Sequence, residues 1–186
     1  MNVIKTALPG VLILEPKVFS DNRGVFMEMF HAKRYAEAGI SYVFVQDNYS
    51  KSIRDTLRGL HYQEPNAQGK LVQVVAGTVY DVVVDIRSGS PTFRMWRGVE
   101  LSSENRKQLW VPPGYAHGFL VRSESAEVLY KCADFYRPDT EHTVAWNDPE
   151  IAIRWPVQHP LLSKKDAVAP RLSEISALPP YVVAAR

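Results

Sequence analysis

The chain has 186 residues, of which 46% are hydrophobic and 23% are charged, and its net charge at pH 7 is +2. This length is typical of one domain that buries about 70% of its unfolded surface. Because the chain has 22 basic and 20 acidic side chains, its composition favours neither nucleic acid nor a membrane surface as a partner. Any site for an anion must therefore be a local cluster of cations.

The single cysteine, Cys132, excludes an internal disulfide and suits a reducing compartment. Residues 1–6 contain no apolar signal core, and no apolar run approaches the length that crosses a bilayer. We therefore expect a single domain over residues 1–186, located in the cytoplasm, with neither a nucleic-acid partner nor a membrane partner.

Short β-strand patterns dominate the chain, separated by glycine and proline. Strands are predicted over residues 11–14, 25–30, 42–48, 71–75, 79–86, 92–99, 108–111, 118–121, 127–133 and 143–146. Gly77 predicts a hairpin between the strands at 71–75 and 79–86. The one predicted helix covers residues 32–38 and ends at Gly39. Many short strands with almost no helix indicate an all-β protein, either an antiparallel sandwich or a barrel.

The strand predicted over residues 79–86 places two carboxylates on one face. Asp81, Val83 and Asp85 share that face because side chains alternate along a strand. On an open antiparallel sheet an acidic face is usually solvated. In a closed barrel the same face lines the interior, where carboxylates need partners. The sequence leaves both interpretations open.

Two polar clusters carry residue types that suit proton transfer on an anionic ligand. The first is Leu-Arg-Gly-Leu-His-Tyr-Gln at residues 57–63, which is followed closely by Lys70. The second is Pro-Pro-Gly-Tyr-Ala-His-Gly-Phe at residues 112–119. Each cluster places a histidine on a strand pattern, and Gly59 in the first suggests a tight approach to a ligand. A histidine in such a place either binds a metal or acts as a base.

A series of strings, in order from about residue 3 to residue 173, carries a resemblance to a known family. The strings lie at residues 19–24, 44–48, 57–61, 67–72, 85–87, 91–93, 109–112, 116–119, 129–131, 146–148 and 163–166. Together they resemble the dTDP-4-dehydrorhamnose 3,5-epimerases of the cupin superfamily. The resemblance implies an antiparallel jelly-roll barrel with a few short helices. It also implies epimerisation of dTDP-4-dehydro-6-deoxy-D-glucose at C3 and C5, which gives dTDP-4-dehydro-L-rhamnose.

The number of possible metal ligands in the two motifs disfavours a metal site. Metal-binding cupins typically have a His-x-His pair in the first motif, but the residue two positions after His61 is Gln63. His61, His117 and Glu64 would offer two imidazoles and one carboxylate, whereas a transition metal usually has three or four well-placed ligands. We therefore predict no metal. The other three histidines, His31, His142 and His159, are expected at the surface.

The resemblance implies a proton-transfer site of four side chains. His61 corresponds to the base, and a histidine, with an ordinary pKa of about 6.5, suits removal of a proton beside a ketone. Asp166 corresponds to the carboxylate that binds the other ring nitrogen of His61. Lys70 corresponds to the cation near the enolate oxygen, and Tyr130 to the acid on the opposite face of the sugar. No cofactor is expected, because the 4-keto group already acidifies both C–H bonds.

The diphosphate of the dTDP-sugar substrate requires cations or N–H donors. The chain has neither a Gly-x-Gly-x-x-Gly motif nor a Walker loop, so arginine forks are the expected partners. The resemblance assigns Arg23 and Arg58 to this role, and an aromatic residue such as Phe26 or Tyr136 is expected to pack on the base. The resemblance implies further substrate contacts by Glu28, Gln46, Asp47, Asn48, His117, Glu141 and Lys165.

Other interpretations compete with these assignments. Taken alone, Tyr130 is an ordinary strand aromatic, Lys70 a solvated residue and Asp166 part of a surface loop. A relative that acts at only one carbon would keep His61 and Tyr130. A non-catalytic sugar-binding cupin is a different class, which the presence of all four catalytic types disfavours. A metal-dependent cupin enzyme is disfavoured by Gln63.

Members of the family pair as dimers, so a homodimer is expected, with part of the site near the partner. The apolar residues 11–14 would suit such pairing. Residues 178–186 extend past the matching strings and have no assigned role.

Overall fold

The computed structural model describes residues 1–182, in which antiparallel strands are the main regular secondary structure. The strands are β1 (Asn2–Lys5), β2 (Leu12–Glu15), β3 (Val18–Asp21), β4 (Gly24–Met27), β5 (Gln46–Ile53), β6 (Leu57–Gln63), β7 (Lys70–Ala76), β8 (Thr78–Asp85), β9 (Trp96–Ser102), β10 (Gln108–Val111), β11 (Tyr115–Val121), β12 (Ser125–Cys132) and β13 (Glu141–Thr143). A six-stranded sheet has the order β1-β2-β10-β7-β12-β5, and a five-stranded sheet has the order β13-β6-β11-β8-β9. Strands β3 and β4 form a separate hairpin.

Helical structure is limited to α1 (Ala32–Glu37), α2 (Lys164–Ala167) and a 3₁₀ turn at Leu172–Glu174. Helix α1 ends before Gly39, as predicted, and the glycine there has a φ of +95°. Within residues 1–182, none of the helices has the length and apolar character that a membrane span requires. The predicted all-β, cupin-like class is confirmed.

The main core lies between the two sheets, where inward-facing side chains of both meet. The six-stranded sheet contributes Val72, Val74 and Val128, and the five-stranded sheet contributes Val83 and Phe119 among others. These side chains are nearly all inaccessible to solvent. Burial of this apolar area provides the main favourable free energy of the fold.

Both sheets are also covered on their outer faces. Tyr35 and Ile40, in and after α1, pack with Trp110 on the six-stranded sheet. Ile151 and Leu172 pack on the five-stranded sheet, together with Ile175 and Leu178 of the C-terminal segment. This double burial explains why the β8 sequence reads Val-Val-Val rather than alternating with polar residues.

The C-terminal segment, which had no assigned role, is part of this cover. The hydroxyl of Tyr62 donates a 3.0 Å hydrogen bond to the carbonyl oxygen of Ala177. The backbone N–H of Tyr181 donates to the carbonyl oxygen of Ser88 at 3.0 Å. The segment is therefore hydrogen-bonded to the rest of the chain as far as Tyr181. Residues 183–186 lie outside the described residues.

The hairpin predicted around Gly77 is wrong. Strand β7 pairs with β10 and β12, whereas β8 pairs with β9 and β11, so the chain passes from one sheet to the other at this glycine. Periodicity could not show this, because two buried strands with a glycine between them look the same whether or not they pair with each other.

The suggestion that residues 11–14 form a dimer contact is also wrong. Their side chains are buried within the chain, and β2 is an inner strand between β1 and β10. Four predicted strands are placed differently: residues 42–45, 92–95 and 144–146 lie outside any strand, and residues 28–30 lie beyond the end of β4. Several of their apolar side chains, such as Phe44 and Phe93, pack as cover on a sheet face.

The crossing at Gly77 should be sensitive to substitution. Gly77 has a φ of +77°, and a Cβ there would overlap the carbonyl oxygen of Ser125. Gly77→Ala should lower the free energy of unfolding by about 3 kcal/mol, since strained backbone and overpacking both contribute. Urea denaturation measures this loss.

Gly89→Ala is the matched control for that experiment. Gly89 has a similar φ of +82°, but no atom lies within 4 Å of the added Cβ position. Its loss should be about 1 kcal/mol, from backbone strain alone. Equal losses for the two variants would contradict the close packing at Gly77.

Candidate active site

A polar cavity of about 270 Å³ lies between the two sheets. Strands β5, β7 and β12 of one sheet and β6 and β13 of the other contribute to its wall. Its lining consists of Gln46, Asn48, His61, Tyr62, Gln63, Gln68, Lys70, Tyr130, Tyr136 and Glu141. The cavity therefore brings together six residues that the resemblance assigned to the site: His61, Lys70, Tyr130, Gln46, Asn48 and Glu141.

His61 and Asp166 form a hydrogen-bonded pair. Nε2 of His61 lies 2.7 Å from Oδ1 of Asp166, and the carboxylate is almost fully buried. Helix α2 fixes the aspartate, since the backbone N–H of Asp166 donates to Oγ of the N-cap Ser163 at 3.1 Å. An ionised carboxylate only accepts hydrogen bonds, so Nε2 carries the proton and Nδ1 is the nitrogen left to act as a base.

The charge state of Asp166 supports this tautomer. Burial by itself would raise the pKa of Asp166, but the hydrogen bonds from His61 and Ser163 and the charge of His61 outweigh burial and hold that pKa below its usual value. Asp166 is therefore ionised at neutral pH, and it favours the imidazolium that forms when His61 takes a proton.

Lys70 is the cation of the cavity, at the start of β7 between Val111 of β10 and Cys132 of β12. Burial lowers its pKa, whereas the charges of Glu141 and Asp81 raise it. Among residues 1–182, no carboxylate lies within 4.0 Å of Nζ. An ammonium group without a close counter-ion is suited to an anionic group on a ligand.

Tyr130 lies on the opposite sheet from His61. It occupies β12, in register with Asn48 of β5 and Val72 of β7, and its ring packs against the main core. Burial raises the pKa of Tyr130, while the charge of Arg58 opposes that rise. The phenol is therefore neutral and able to donate a proton, and it faces His61 across the cavity.

A series of hydrogen bonds fixes the two β5 side chains, Gln46 and Asn48, that line the cavity. The backbone N–H of Tyr136 donates to Oε1 of Gln46 at 2.8 Å, and Nε2 of Gln46 donates to Oδ1 of Asn48 at 3.0 Å. Nδ2 of Asn48 in turn donates to Sγ of Cys132 at 3.4 Å. Each amide is thereby fixed in one orientation.

Glu141 joins two further groups at the cavity. It accepts from Tyr136 Oη at 2.9 Å and from Lys165 Nζ at 2.7 Å. Burial would raise the pKa of Glu141, but these hydrogen bonds and the charge of His61 hold it below its usual value. Glu141 is therefore ionised, and Lys165 is placed beside the cavity.

Seven predicted site residues lie outside the cavity lining. Two of them, Asp166 and Lys165, bind residues of the lining, and the other five have different partners. Arg23 is on the exposed β3–β4 hairpin and pairs with Asp21, and Glu28 pairs with Arg34. The side chain of Asp47 points away from those of Gln46 and Asn48 and pairs with Lys131 at 2.9 Å. Arg58 donates to Oγ of Ser52 at 3.0 Å, and His117 is buried against Asp81. Their contacts with substrate stay predictions.

Gln63 has a task that the sequence did not reveal. Its amide nitrogen donates to the carbonyl oxygens of Asn66 and Phe135, and its oxygen accepts from the backbone N–H of Arg137. These bonds fix the segment that carries Tyr136. Gln68, which lies in the matching string at residues 67–72 but was assigned no role, also lines the cavity, and its amide binds the carbonyl oxygen of Asp134.

Two predictions for individual residues, Gly59 and His142, need correction. Gly59 makes a tight approach to the backbone of Gly118 on β11, and this strand contact accounts for the glycine. His142 is not a surface residue: it is partly buried, its ring stacks on Tyr62 at 5.1 Å, and Nε2 lies 3.0 Å from the carbonyl oxygen of Glu64. Strand β13 pairs with β6 and places His142 opposite Tyr62.

The described part of the chain contains no cluster of three or more His, Cys, Asp or Glu side chains that could hold a metal. His61 and His117 are opposite each other on β6 and β11, but each directs Nε2 to its own carboxylate. The geometry of the site is that of two His–Asp pairs.

Comparison with known proteins gives consistent matches. A sequence model of the dTDP-4-dehydrorhamnose 3,5-epimerase family matches residues 5–174. The dTDP-4-dehydrorhamnose 3,5-epimerase of Shigella flexneri is 60% identical over 168 residues, which make up 89% of this chain and 93% of the relative.

Two solved structures are similar over nearly the whole chain. The dTDP-6-deoxy-D-glucose 3,5-epimerase of Legionella pneumophila, in complex with dTDP-4-keto-L-rhamnose, has a TM-score of 0.95 and 52% identity and covers 98% of this chain and 99% of its own. A 3′-monoepimerase from Streptomyces bikiniensis, in complex with dTDP-quinovose, has a TM-score of 0.89 and 36% identity and covers 95% of this chain and 92% of its own.

The buried His61–Asp166 pair should make stability depend on pH. Because the pKa of Asp166 is lowered in the folded state, its contribution is fully present above its unfolded value of 3.8 and is lost as pH falls through the lower folded value. Asp166→Asn should cost about 2 kcal/mol at neutral pH, a typical value for a hydrogen bond to a charged group. Urea unfolding at several pH values measures the difference, and a difference that persists unchanged well below pH 3.8 would contradict the pairing.

Proposed function

The chain belongs to the dTDP-4-dehydrorhamnose 3,5-epimerase family, and we propose that the cavity around His61 is where it carries out the reaction of that family. The protein is an isomerase that epimerises dTDP-4-dehydro-6-deoxy-D-glucose at C3 and C5 to dTDP-4-dehydro-L-rhamnose. The observation that carries the assignment of the site is one cavity with the His61–Asp166 pair on one wall and Tyr130 on the other.

His61 acts as the base. Its Nδ1 removes the proton from the carbon beside the 4-keto group, and the electron pair of the broken C–H bond moves to form an enolate. The imidazolium that results keeps its Nε2–H bond to Asp166, 2.7 Å away. Because the carboxylate is buried and ionised, its attraction to this positive charge is stronger than it would be between the same two groups in water.

Lys70 stabilises the enolate. C3 and C5 flank the same ketone carbon, so both proton removals place the developing charge on the same oxygen. One fixed ammonium group can therefore serve both steps, and Lys70 has no carboxylate of the described residues within 4.0 Å to neutralise it.

Tyr130 returns the proton from the opposite face. A phenol whose pKa is raised by burial holds its proton until the carbanion form of the enolate accepts it. The tyrosinate that forms recovers a proton from solvent, and His61 releases its own, so no net proton is consumed. Inversion follows because removal and return occur on opposite walls of the cavity.

The nucleotide part of the dTDP-sugar extends from the mouth of the cavity. Tyr136 at the rim is half exposed and offers its ring to the base, with its hydroxyl fixed by Glu141. Arg58 and Lys165 supply positive charge for the diphosphate. Gln46, Asn48 and His117 hold the sugar.

The active protein is a homodimer in which the β3–β4 hairpin reaches the site of the partner subunit. The hairpin belongs to neither large sheet and exposes Phe19, Val25 and Phe26. Arg23 at its tip is 84% exposed and lies on a different surface pocket from the cavity of its own chain. Exposed apolar side chains beside an exposed arginine are suited to a subunit contact that delivers a phosphate ligand.

Mixing two inactive variants tests this arrangement. Arg23→Ala and His61→Ala subunits should each be nearly inactive alone. If the arginine acts across the interface, unfolding and refolding them together should restore activity, because hybrid dimers contain one intact site. A mixture that stays inactive while hybrid dimers form, or a wild-type protein that sediments as a monomer, would contradict the arrangement.

Solvent exchange tests the base. With wild-type protein in D2O, deuterium should enter at both C3 and C5, as NMR of the sugar nucleotide shows. His61→Asn should reduce exchange at both carbons by about 10³-fold, which is within the usual contribution of a general base. His159→Asn is the control, because His159 is exposed and outside the cavity.

Exchange at only one carbon would favour a function like that of the 3′-monoepimerase relative. Near-normal exchange by His61→Asn would place the base elsewhere.

A further inference from the structure

Asp81 is a fully buried carboxylate for which the mechanism above has no task. It lies on β8 between Val79 and Val83, whose side chains belong to the main core. Its Oδ1 lies 2.8 Å from Nε2 of His117, whereas its Oδ2 has no hydrogen-bond partner within residues 1–182. Burying a carboxylate without full pairing costs free energy, so stability alone does not explain this residue.

Asp85, on the same face of β8, is a buried carboxylate with hydrogen bonds to both of its oxygens. It is equally buried but accepts hydrogen bonds from Arg87 at 2.7 and 2.9 Å. Ser90 Oγ and Thr92 Oγ1 each donate to it at 2.6 Å. Asp85 therefore stabilises a turn, and it provides a matched comparison for Asp81 within one strand.

The partner of Asp81 is directly beside the proposed base. His117 of β11 is opposite His61 of β6 in the sheet register. Opposed residues of antiparallel strands direct their side chains to the same side, with Cβ atoms about 5 Å apart. Each ring uses Nε2 for a carboxylate, at 2.7 Å for His61 and 2.8 Å for His117, which leaves Nδ1 of each for a ligand.

The charges around Asp81 bear on the position of the shared proton. Burial raises the pKa of Asp81 above its ordinary value, and the charge and hydrogen bond of His117 and the charge of Lys70 offset only part of that rise. If Asp81 is ionised, it can only accept a hydrogen bond, so the proton lies on Nε2 of His117. If Asp81 were protonated, the proton of His117 would lie on Nδ1 instead.

We propose that Asp81 is a positioning residue for epimerisation, which keeps the proton of His117 on Nε2 so that Nδ1 accepts a hydrogen bond from a hydroxyl of the sugar. The inference rests on the proposed function of the cavity. Asp81 itself touches no substrate; it acts through His117, which then holds the sugar beside His61. This pair differs from His61–Asp166 in purpose, because His117 keeps its tautomer throughout turnover whereas His61 changes protonation.

The tautomer is measured on substrate-free protein. Long-range ¹H–¹⁵N NMR spectra of the ¹⁵N-labelled wild type, at pH 7 to 8, should show His117 with a protonated Nε2 and a bare Nδ1. In Asp81→Asn, the amide can donate to Nε2, so the proton should move to Nδ1. Asp85→Asn should leave the His117 signals unchanged. A wild-type His117 with its proton on Nδ1 overturns the proposal, even if Asp81→Asn does not fold.

Kinetics provide the second measurement. Asp81→Asn should lower kcat/KM by about 10- to 100-fold, a typical cost of changing the partner of a ligand-binding histidine, mainly through a higher KM. The Asp85→Asn variant corrects for loss of folded protein. A kcat/KM within twofold of that control overturns the proposal. Wild-type protein that exchanges no deuterium would refute the function of the cavity, but it would leave the NMR result on the His117 tautomer standing.

Discussion

The hydrogen bond between His61 and Asp166 is the interaction on which the site depends. It joins β6 of the five-stranded sheet to the short helix α2, which lies more than a hundred residues later in the chain. The aspartate determines which ring nitrogen of His61 is free, and the strand determines where that nitrogen points. The outer cover of the five-stranded sheet comes from the same C-terminal part of the chain, so folding of that part and assembly of the base are linked.

Two facing sheets give this chemistry its geometry. Side chains that point inward from opposite sheets reach a cavity from opposite sides, and His61 and Tyr130 are such a pair. The rest of the space between the sheets is filled by valine and other apolar side chains, which keep water away from the deep side of the site. A partly buried cation at Lys70 is costly in these surroundings, and its cost is offset when the substrate provides negative charge.

Much of this could be predicted from the sequence. The strand patterns predicted an all-β fold, and the string at 57–61 indicated His61 together with Arg58. Asp166 could be identified only through the family resemblance, because a lone aspartate after two lysines looks like part of a surface loop. The order Gln46–Asp47–Asn48 is also informative, because a strand places the middle residue on the other face, and Asp47 does point away from the other two.

Other features depend on long-range contacts that no local pattern records. The passage of β7 and β8 into different sheets is one, since pairing partners are set by the whole topology. The role of Gln63 is another: its side chain binds three backbone groups at residues 66, 135 and 137. The open question about the acidic face of β8 is answered by burial, because both Asp81 and Asp85 are inside the molecule with different partners.

The most direct test of a base and an acid on opposite walls is to compare deuterium incorporation into the substrate with product formation in Tyr130→Phe. Without the phenol, His61 should still remove the proton and return a solvent deuteron to the same face. In D2O, the recovered substrate should gain deuterium with retained configuration about 100-fold faster than product forms. Tyr49→Phe, changed at an exposed tyrosine of β5, should behave like the wild type. Equal loss of exchange and of product formation in Tyr130→Phe would contradict the account.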